Sequence, residues 1–145
     1  MNTADLVDAF DAEMHFCDLP FLKLGMRRSF FGEIQTVACF EDNGLIKKEL
    51  RKPGNGKVLV VDGAGSTRVA LIGDQIAELI ITNGWSGIII NGAIRDTDQV
   101  SNMDVGVFCL SVTPKKPESS EQGVVGRQVS FGGVAFRPGA FVYAD

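Results

Sequence analysis

Two short runs in this chain are apolar on both sides of an extended backbone. One is Val58-Leu59-Val60-Val61, entered at Lys57 and left at Asp62. The other is Ile88-Ile89-Ile90, held between Gly87 and Asn91. Successive side chains of a strand point to opposite faces, so a strand without a polar face must be covered on both. Between the two runs the spacing predicts a helix from Asp74 to Asn83. Ile76, Ala77, Ile80 and Ile81 share one face of it, and Gly84 stands where a left-handed residue ends a helix. A β-α-β unit of this kind, flanked by hairpin-like segments, selects an α/β or α+β fold with a layered sheet.

Thr3 is positioned to cap a helix running to about Glu13, with Leu6, Val7 and Phe10 on one face. Phe31 to Phe40 reads as a strand, and Asp42 or Asn43 as the cap of a short helix ending near Leu50. Lys52-Pro53-Gly54-Asn55-Gly56 is a turn, and Val69 to Ile72 a short strand. Val105 to Val112 reads as a third buried strand, and Thr113 to Gln122 as an exposed loop. Val124 to Ser130, Val134 to Phe136 and Phe141 to Tyr143 read as antiparallel strands around Gly132-Gly133 and Pro138-Gly139. No repeat or linker interrupts the 145 residues, so one domain over 1–145 is expected.

Charge narrows the function. The net charge is −4, and no Lys/Arg run exceeds a pair, which argues against a nucleic-acid footprint. No apolar run approaches membrane-spanning length, and the N-terminus has no apolar signal core. Cys17, Cys39 and Cys109 are odd in number and lack CxxC spacing, which points to a reducing, cytoplasmic setting. A single histidine, His15, excludes a zinc-type His cluster or a His-based triad. The lysines sit in polar or loop-edge contexts, a poor setting for a Schiff base. Gly63-Ala64-Gly65 opens no helix and reads as a tight turn.

Chemistry is concentrated elsewhere. Gly73-Asp74-Gln75-Ile76 opens the central helix, and helix N–H groups favour an anion. Asp74 is also a good N-cap residue. Arg95-Asp96 follows the Ile88–Ile90 strand, and ligands collect at the carboxyl ends of strands in α/β sheets. Asp62 ends the neighbouring strand in the same way. If these groups converge, one guanidinium meets two or three carboxylates, a set suited to Mg²⁺ or Mn²⁺.

Gly73-Asp74-Gln75-Ile76-Ala77, Gly84-Trp85-Ser86-Gly87 and Ile90-Asn91-Gly92-Ala93-Ile94-Arg95-Asp96 resemble the signature of a known family. It joins the 4-hydroxy-4-methyl-2-oxoglutarate aldolases with the regulator of ribonuclease E activity A. Thr36 to Gly44, Val58 to Gly63, Phe131 to Val134 and Tyr143 to Asp145 resemble it too. The resemblance implies a layered β/β/α sandwich of the swivelling phosphohistidine-domain type and a ring-shaped homotrimer with sites between subunits. It implies that Gly73, Asp74, Gln75, Ile76 and Arg95 bind a small keto-acid substrate and that Asp96 binds a divalent metal, Mg²⁺ or Mn²⁺. The mechanism expected of such a site makes Arg95 and Asp74 the catalytic groups, Arg95 stabilising an enolate and Asp74, directly or through a metal-bound water, assisting removal of the substrate hydroxyl proton. The family pattern continues past Tyr143-Ala144-Asp145, so the C-terminal end is expected to be incomplete. The implied activity is metal-dependent aldol cleavage to pyruvate, with oxaloacetate decarboxylation through the same enolate. The alternative it implies is a non-catalytic regulator that binds ribonuclease E. The regulators lack an intact Arg-Asp pair, and this chain has one.

Overall fold

The computed structural model describes residues 2–145; Met1, where the expected domain begins, lies outside the described residues. In chain order the elements are α1 (Thr3–Phe10), a 3-10 turn (Asp11–Glu13), β1 (Leu22–Leu24), β2 (Phe30–Ala38), α2 (Gly44–Leu50), β3 (Val58–Asp62) and β4 (Ala70–Ile72). Then follow α3 (Asp74–Thr82), β5 (Gly87–Asn91), β6 (Ala93–Ile94), α4 (Thr97–Ser101), β7 (Val107–Cys109) and β8 (Ser111–Val112). The chain ends with β9 (Val124–Val125), β10 (Val129–Phe131), β11 (Val134–Phe136) and β12 (Phe141–Ala144).

The doubly apolar runs form the centre of a 7-stranded sheet with the order β1-β7-β5-β3-β2-β12, β9 pairing with β2. β2, β3, β5 and β7 are parallel, whereas β1, β9 and β12 join antiparallel. Alternation divides the side chains between two cores. Leu59, Val61, Ile88 and Ile90 pack with Ile46, Leu50, Ile76, Ala77 and Ile80 beneath α2 and α3. Val58, Val60 and Ile89 face the other way, onto Phe30, Phe108, Phe131 and Phe136. That second face is covered by the β10–β11 hairpin, whose two-residue turn uses Gly132 and Gly133 at φ 59° and 79°. Helix α3 ends as its sequence foretells. Gly84 N–H donates to Ile81 O and Trp85 N–H to Ile80 O, at 3.4 and 3.0 Å, and Gly84 has φ 76°.

A second, 3-stranded sheet has the order β4-β6-β8, all parallel. Each large-sheet strand β3, β5 and β7 is followed in the chain by one strand of this small sheet, in matching order. The expected single strand Val105–Val112 is therefore two strands in two sheets, parted at Leu110, whose N–H donates to Gly92 O at 2.9 Å. Val124–Ser130 divides likewise around Gly126, at φ 80°. At the N-terminus, Asn2 rather than Thr3 caps α1, in a capping box with Asp5. The main-chain and hydroxyl groups of Thr3 donate instead to Asp145. Of the expected apolar face only Leu6 is buried. Among the described residues no helix is long and apolar enough to cross a membrane.

Candidate active site

Strands β4 and β6 lie side by side, and Arg95 N–H extends their pairing by donating to Ile72 O at 3.0 Å. The next residues out are Gly73 on one strand and Arg95-Asp96 on the other. The segments singled out in the sequence thus meet at the carboxyl end of the small sheet.

Contact is closest between Asp96 and the start of α3. Gly73 is the N-cap and lacks a side chain to fill that role, so Asp74 is the first helical residue and not the cap. The cap comes from Asp96, whose Oδ2 accepts Asp74 N–H at 3.1 Å. Asp96 reaches it from the left-handed region, φ 59° and ψ 41°. Gly73 is required for this approach: a Cβ there would lie 2.3 Å from Asp96 Oδ2. The first main-chain bond across the helix start is Ala77 N–H to Gly73 O at 3.0 Å. The N–H groups of Gln75 and Ile76 precede it and face outward, available to an anion. Arg95 Nε lies 4.0 Å from Asp96 Oδ2, and both side chains are about a third exposed, at 39% and 34%. At that distance and exposure the pair is loose, leaving the guanidinium free to bind a carboxylate in two-pronged fashion.

A support invisible in the sequence lies behind β4. Asn43 is only 8% exposed, and its Nδ2 donates to Leu71 O at 3.1 Å, two residues before Gly73. Its neighbour Asp42 is buried and accepts N–H bonds from Gly44, Ser120 and Glu121 at 2.9, 2.8 and 3.1 Å, together with the Ser120 hydroxyl. Burial pushes the Asp42 carboxyl up, and these bonds outweigh it, holding the group below its ordinary 3.8.

The expected convergence with Asp62 does not occur. Asp62 ends β3 in the large sheet, where its Oδ1 accepts Asn91 Nδ2–H at 3.0 Å and Ala64 N–H at 2.9 Å. Among the described residues no group of three or more His, Cys, Asp or Glu could hold a metal. Asp96 Oδ1 lies outside the bond to Asp74 N–H, which leaves that oxygen as a carboxylate donor. One carboxylate with water and substrate oxygens is a donor set that Mg²⁺ or Mn²⁺ accepts, and one that a zinc cage does not. Trp85, 5% exposed, belongs to the core, with its indole N–H on Lys52 O. His15 is exposed. Burial pushes the thiols of Cys39 and Cys109 up to about 12 and about 11, so neither is a ready nucleophile. Two cavities, of about 830 and 490 Å³, lie elsewhere and are not lined by Gly73, Arg95 or Asp96. The candidate site is an open ledge with Arg95 and Asp96 partly exposed.

The RraA-like family model, described as Aldolase/RraA, matches residues 3–145. The chain belongs to the RraA-like family. A Pseudomonas aeruginosa relative, provisionally named 4-hydroxy-4-methyl-2-oxoglutarate aldolase, is 50% identical over 143 residues, covering 99% of this chain and 88% of its own. The structure of a Geobacillus kaustophilus protein named S-adenosylmethionine: 2-dimethylmenaquinone methyltransferase superposes with a TM-score of 0.98 at 46% identity, covering 100% of this chain and 90% of that one. The Thermus thermophilis RNA-processing inhibitor RraA gives 0.95 at 37% identity, with 100% and 88% covered. These three similar proteins carry three different functional names, so the decision rests on the groups of the site.

Proposed function

We propose that this RraA-like protein is a class II aldolase that cleaves 4-hydroxy-4-methyl-2-oxoglutarate to pyruvate and decarboxylates oxaloacetate through the same enolate. One observation carries the reading. Asp96 caps α3 across Gly73, which places a guanidinium, a carboxylate and two helix N–H groups around one ledge.

The substrate's pyruvoyl carboxylate docks on the N–H groups of Gln75 and Ile76, at the positive end of α3. Arg95 grips the same end by paired hydrogen bonds. When the bond between the third and fourth carbons breaks, its electron pair moves toward the keto group and the negative charge grows on the keto oxygen. Arg95 stabilises that charge as it forms. Asp74 accepts the proton of the substrate hydroxyl, so that the departing half leaves as pyruvate, and a proton returned to the third carbon turns the enolate into the second pyruvate. A divalent cation held by Asp96, Mg²⁺ or Mn²⁺, supplies Lewis acidity toward the keto oxygen when bound. Oxaloacetate needs no hydroxyl deprotonation, because carbon dioxide leaves in place of the second keto acid.

The open ledge fits a site completed by a neighbouring subunit of a homotrimer, within the swivelling type of β/β/α layering. Buried free thiols at Cys39 and Cys109 fit a cytoplasmic protein. A second reading, binding of a ribonuclease without catalysis, draws on the 37% identity to the Thermus inhibitor. The intact Arg95-Asp96 pair favours the enzyme. Pyruvate release from oxaloacetate, measured with and without Mg²⁺, decides between them. Metal-stimulated turnover is expected, and no turnover of either substrate with any divalent metal would leave the regulator reading in its place.

A further inference from the structure

The small sheet has three parallel strands, and only two of their carboxyl ends are used above. Strand β8 ends at Val112, in register with Ile94 of β6. Thr113 N–H then donates to Ile94 O at 3.0 Å, just as Arg95 N–H donates to Ile72 O. Gly73, Arg95 and Thr113 therefore stand abreast, in that order, across the end of the sheet. Residues in register on neighbouring strands point to the same face, so the half-buried Thr113 shares its face with Arg95. The loop that follows is tied at Lys115 O, which accepts Ala70 N–H of β4 at 2.8 Å, and through Asp42 to Ser120 and Glu121.

We infer that Thr113 is a specificity-determining residue whose hydroxyl binds the distal end of the substrate, the half that leaves. This rests on the aldolase reading and extends it. With the pyruvoyl carboxylate on α3 beside Gly73, a dicarboxylate passing over Arg95 runs toward β8. Parallel strands lie about 4.8 Å apart, so Thr113 stands roughly 10 Å from Gly73. A five-carbon dicarboxylate with a hydrogen bond at each end bridges such a gap, whereas pyruvate and oxalate stop at Arg95. The Thr113 hydroxyl therefore meets the distal carboxylate of the long substrate, and the fourth-carbon hydroxyl is left to Asp74. It has nothing to touch on the short ligands.

Thr113→Val removes the hydroxyl and keeps the shape, and Thr113→Ser keeps the hydroxyl and removes the methyl. Steady-state kinetics on 4-hydroxy-4-methyl-2-oxoglutarate and calorimetric titration of oxalate with Mg²⁺ read the two ends separately. Thr113→Val is expected to raise KM for the long substrate about 10- to 100-fold, the worth of a hydrogen bond to a charged group. Oxalate affinity should stay within about twofold, and Thr113→Ser should track wild type. An unchanged KM in Thr113→Val overturns the inference. Oxalate binding weakened as much as the long substrate overturns it too, since the residue would then support the whole ledge. A wild type that neither binds oxalate nor releases pyruvate brings down the aldolase reading itself, and the inference with it.

Discussion

At the carboxyl end of the large sheet, Asp62 and Asn91 stand opposite each other on β3 and β5, and Asp62 Oδ1 accepts both Asn91 Nδ2–H and Ala64 N–H. At the carboxyl end of the small sheet, Arg95 and Asp96 stand beside Gly73 and are only partly spent. Asp96 gives one oxygen to Asp74 N–H, and the Arg95 guanidinium lies a loose 4.0 Å from it. Both ends come from the same strand-helix-strand architecture, and both carry charged side chains. What separates the two ends is what stands around the carboxylate: an amide and a turn at Asp62, a loosely paired guanidinium and a helix start at Asp96. Asp62 holds a turn by two bonds on one oxygen, whereas Asp96 caps a helix start by one bond and has a loosely held guanidinium beside it.

The sharpest way to break this comparison is to remove the least committed group. Arg95→Ala and Arg95→Lys are each expected to lower kcat about 10²- to 10³-fold, as losing a preorganised donor does. A lysine point charge does not reproduce the planar two-pronged contact. Oxaloacetate and 4-hydroxy-4-methyl-2-oxoglutarate should lose turnover together, with the melting temperature nearly unchanged. Loss of one reaction alone would refute the shared enolate.

Gly73→Ala attacks the ledge through its geometry. The backbone there, at φ −138°, accepts alanine without strain, so the fold should survive. The new Cβ, however, would lie 2.3 Å from Asp96 Oδ2 and force that carboxylate off α3. A displacement of this order typically costs about 10² in rate. Kinetics beside a thermal melt test it, and full Mg²⁺-stimulated turnover in Gly73→Ala would show that the Asp96 position is not critical.

These two residues also show what the sequence makes legible. Apolar runs such as Val58–Val61 and Ile88–Ile90 declare the central sheet because both faces are filled. Helix α3 declares its end through Gly84. Gly73 and Arg95-Asp96 were readable as candidates, and the resemblance to the family strengthened them. Hidden was how they meet. Strand β6 is the pair Ala93–Ile94, too short to show any period, so Arg95 reads as the end of β5 when it belongs to a second sheet. The cap that Asp96 supplies comes from 22 residues away, beyond any local capping pattern. Asp62 was misplaced for the same reason: strand-end position is visible in a sequence, and the Asn91 side chain that satisfies it is not.

A milder effect is expected behind the ledge, at Asp42. Asp42→Ala strands the buried Gly44 N–H, loosens the more exposed donors of Ser120 and Glu121, and should cost about 2 kcal/mol of stability at neutral pH. The pH dependence has a definite sign. The folded carboxyl is held below its ordinary 3.8, so its stabilisation is present above that value and is lost as pH falls through the lower folded value. Denaturant titrations of wild type and Asp42→Ala should therefore converge as pH drops below about 4. A gap that stays constant into that acid range would show that the carboxylate charge is not what holds the loop.

The smallest effect tests the comparison from its other side. Asp62 and Asp96 are both half-buried aspartates at the carboxyl ends of parallel strands, and a reading from sequence position alone makes them equivalent. If Asp62 serves only its turn, Asp62→Ala loses the acceptor for Asn91 Nδ2–H and Ala64 N–H, a role that water near the rim can partly fill. Stability should fall by about 1 kcal/mol, the net worth of a typical hydrogen bond. Both kcat and the Mg²⁺ concentration giving half-maximal activity should stay within about twofold of wild type. The measurement is a Mg²⁺ titration of oxaloacetate turnover beside a urea melt. A large loss of metal response in Asp62→Ala would place Asp62 in the metal's surroundings after all and erase the distinction between the two sheet ends. A small stability loss with unaltered metal response would mean that one of two similar strand ends is built for chemistry and the other for holding the turn.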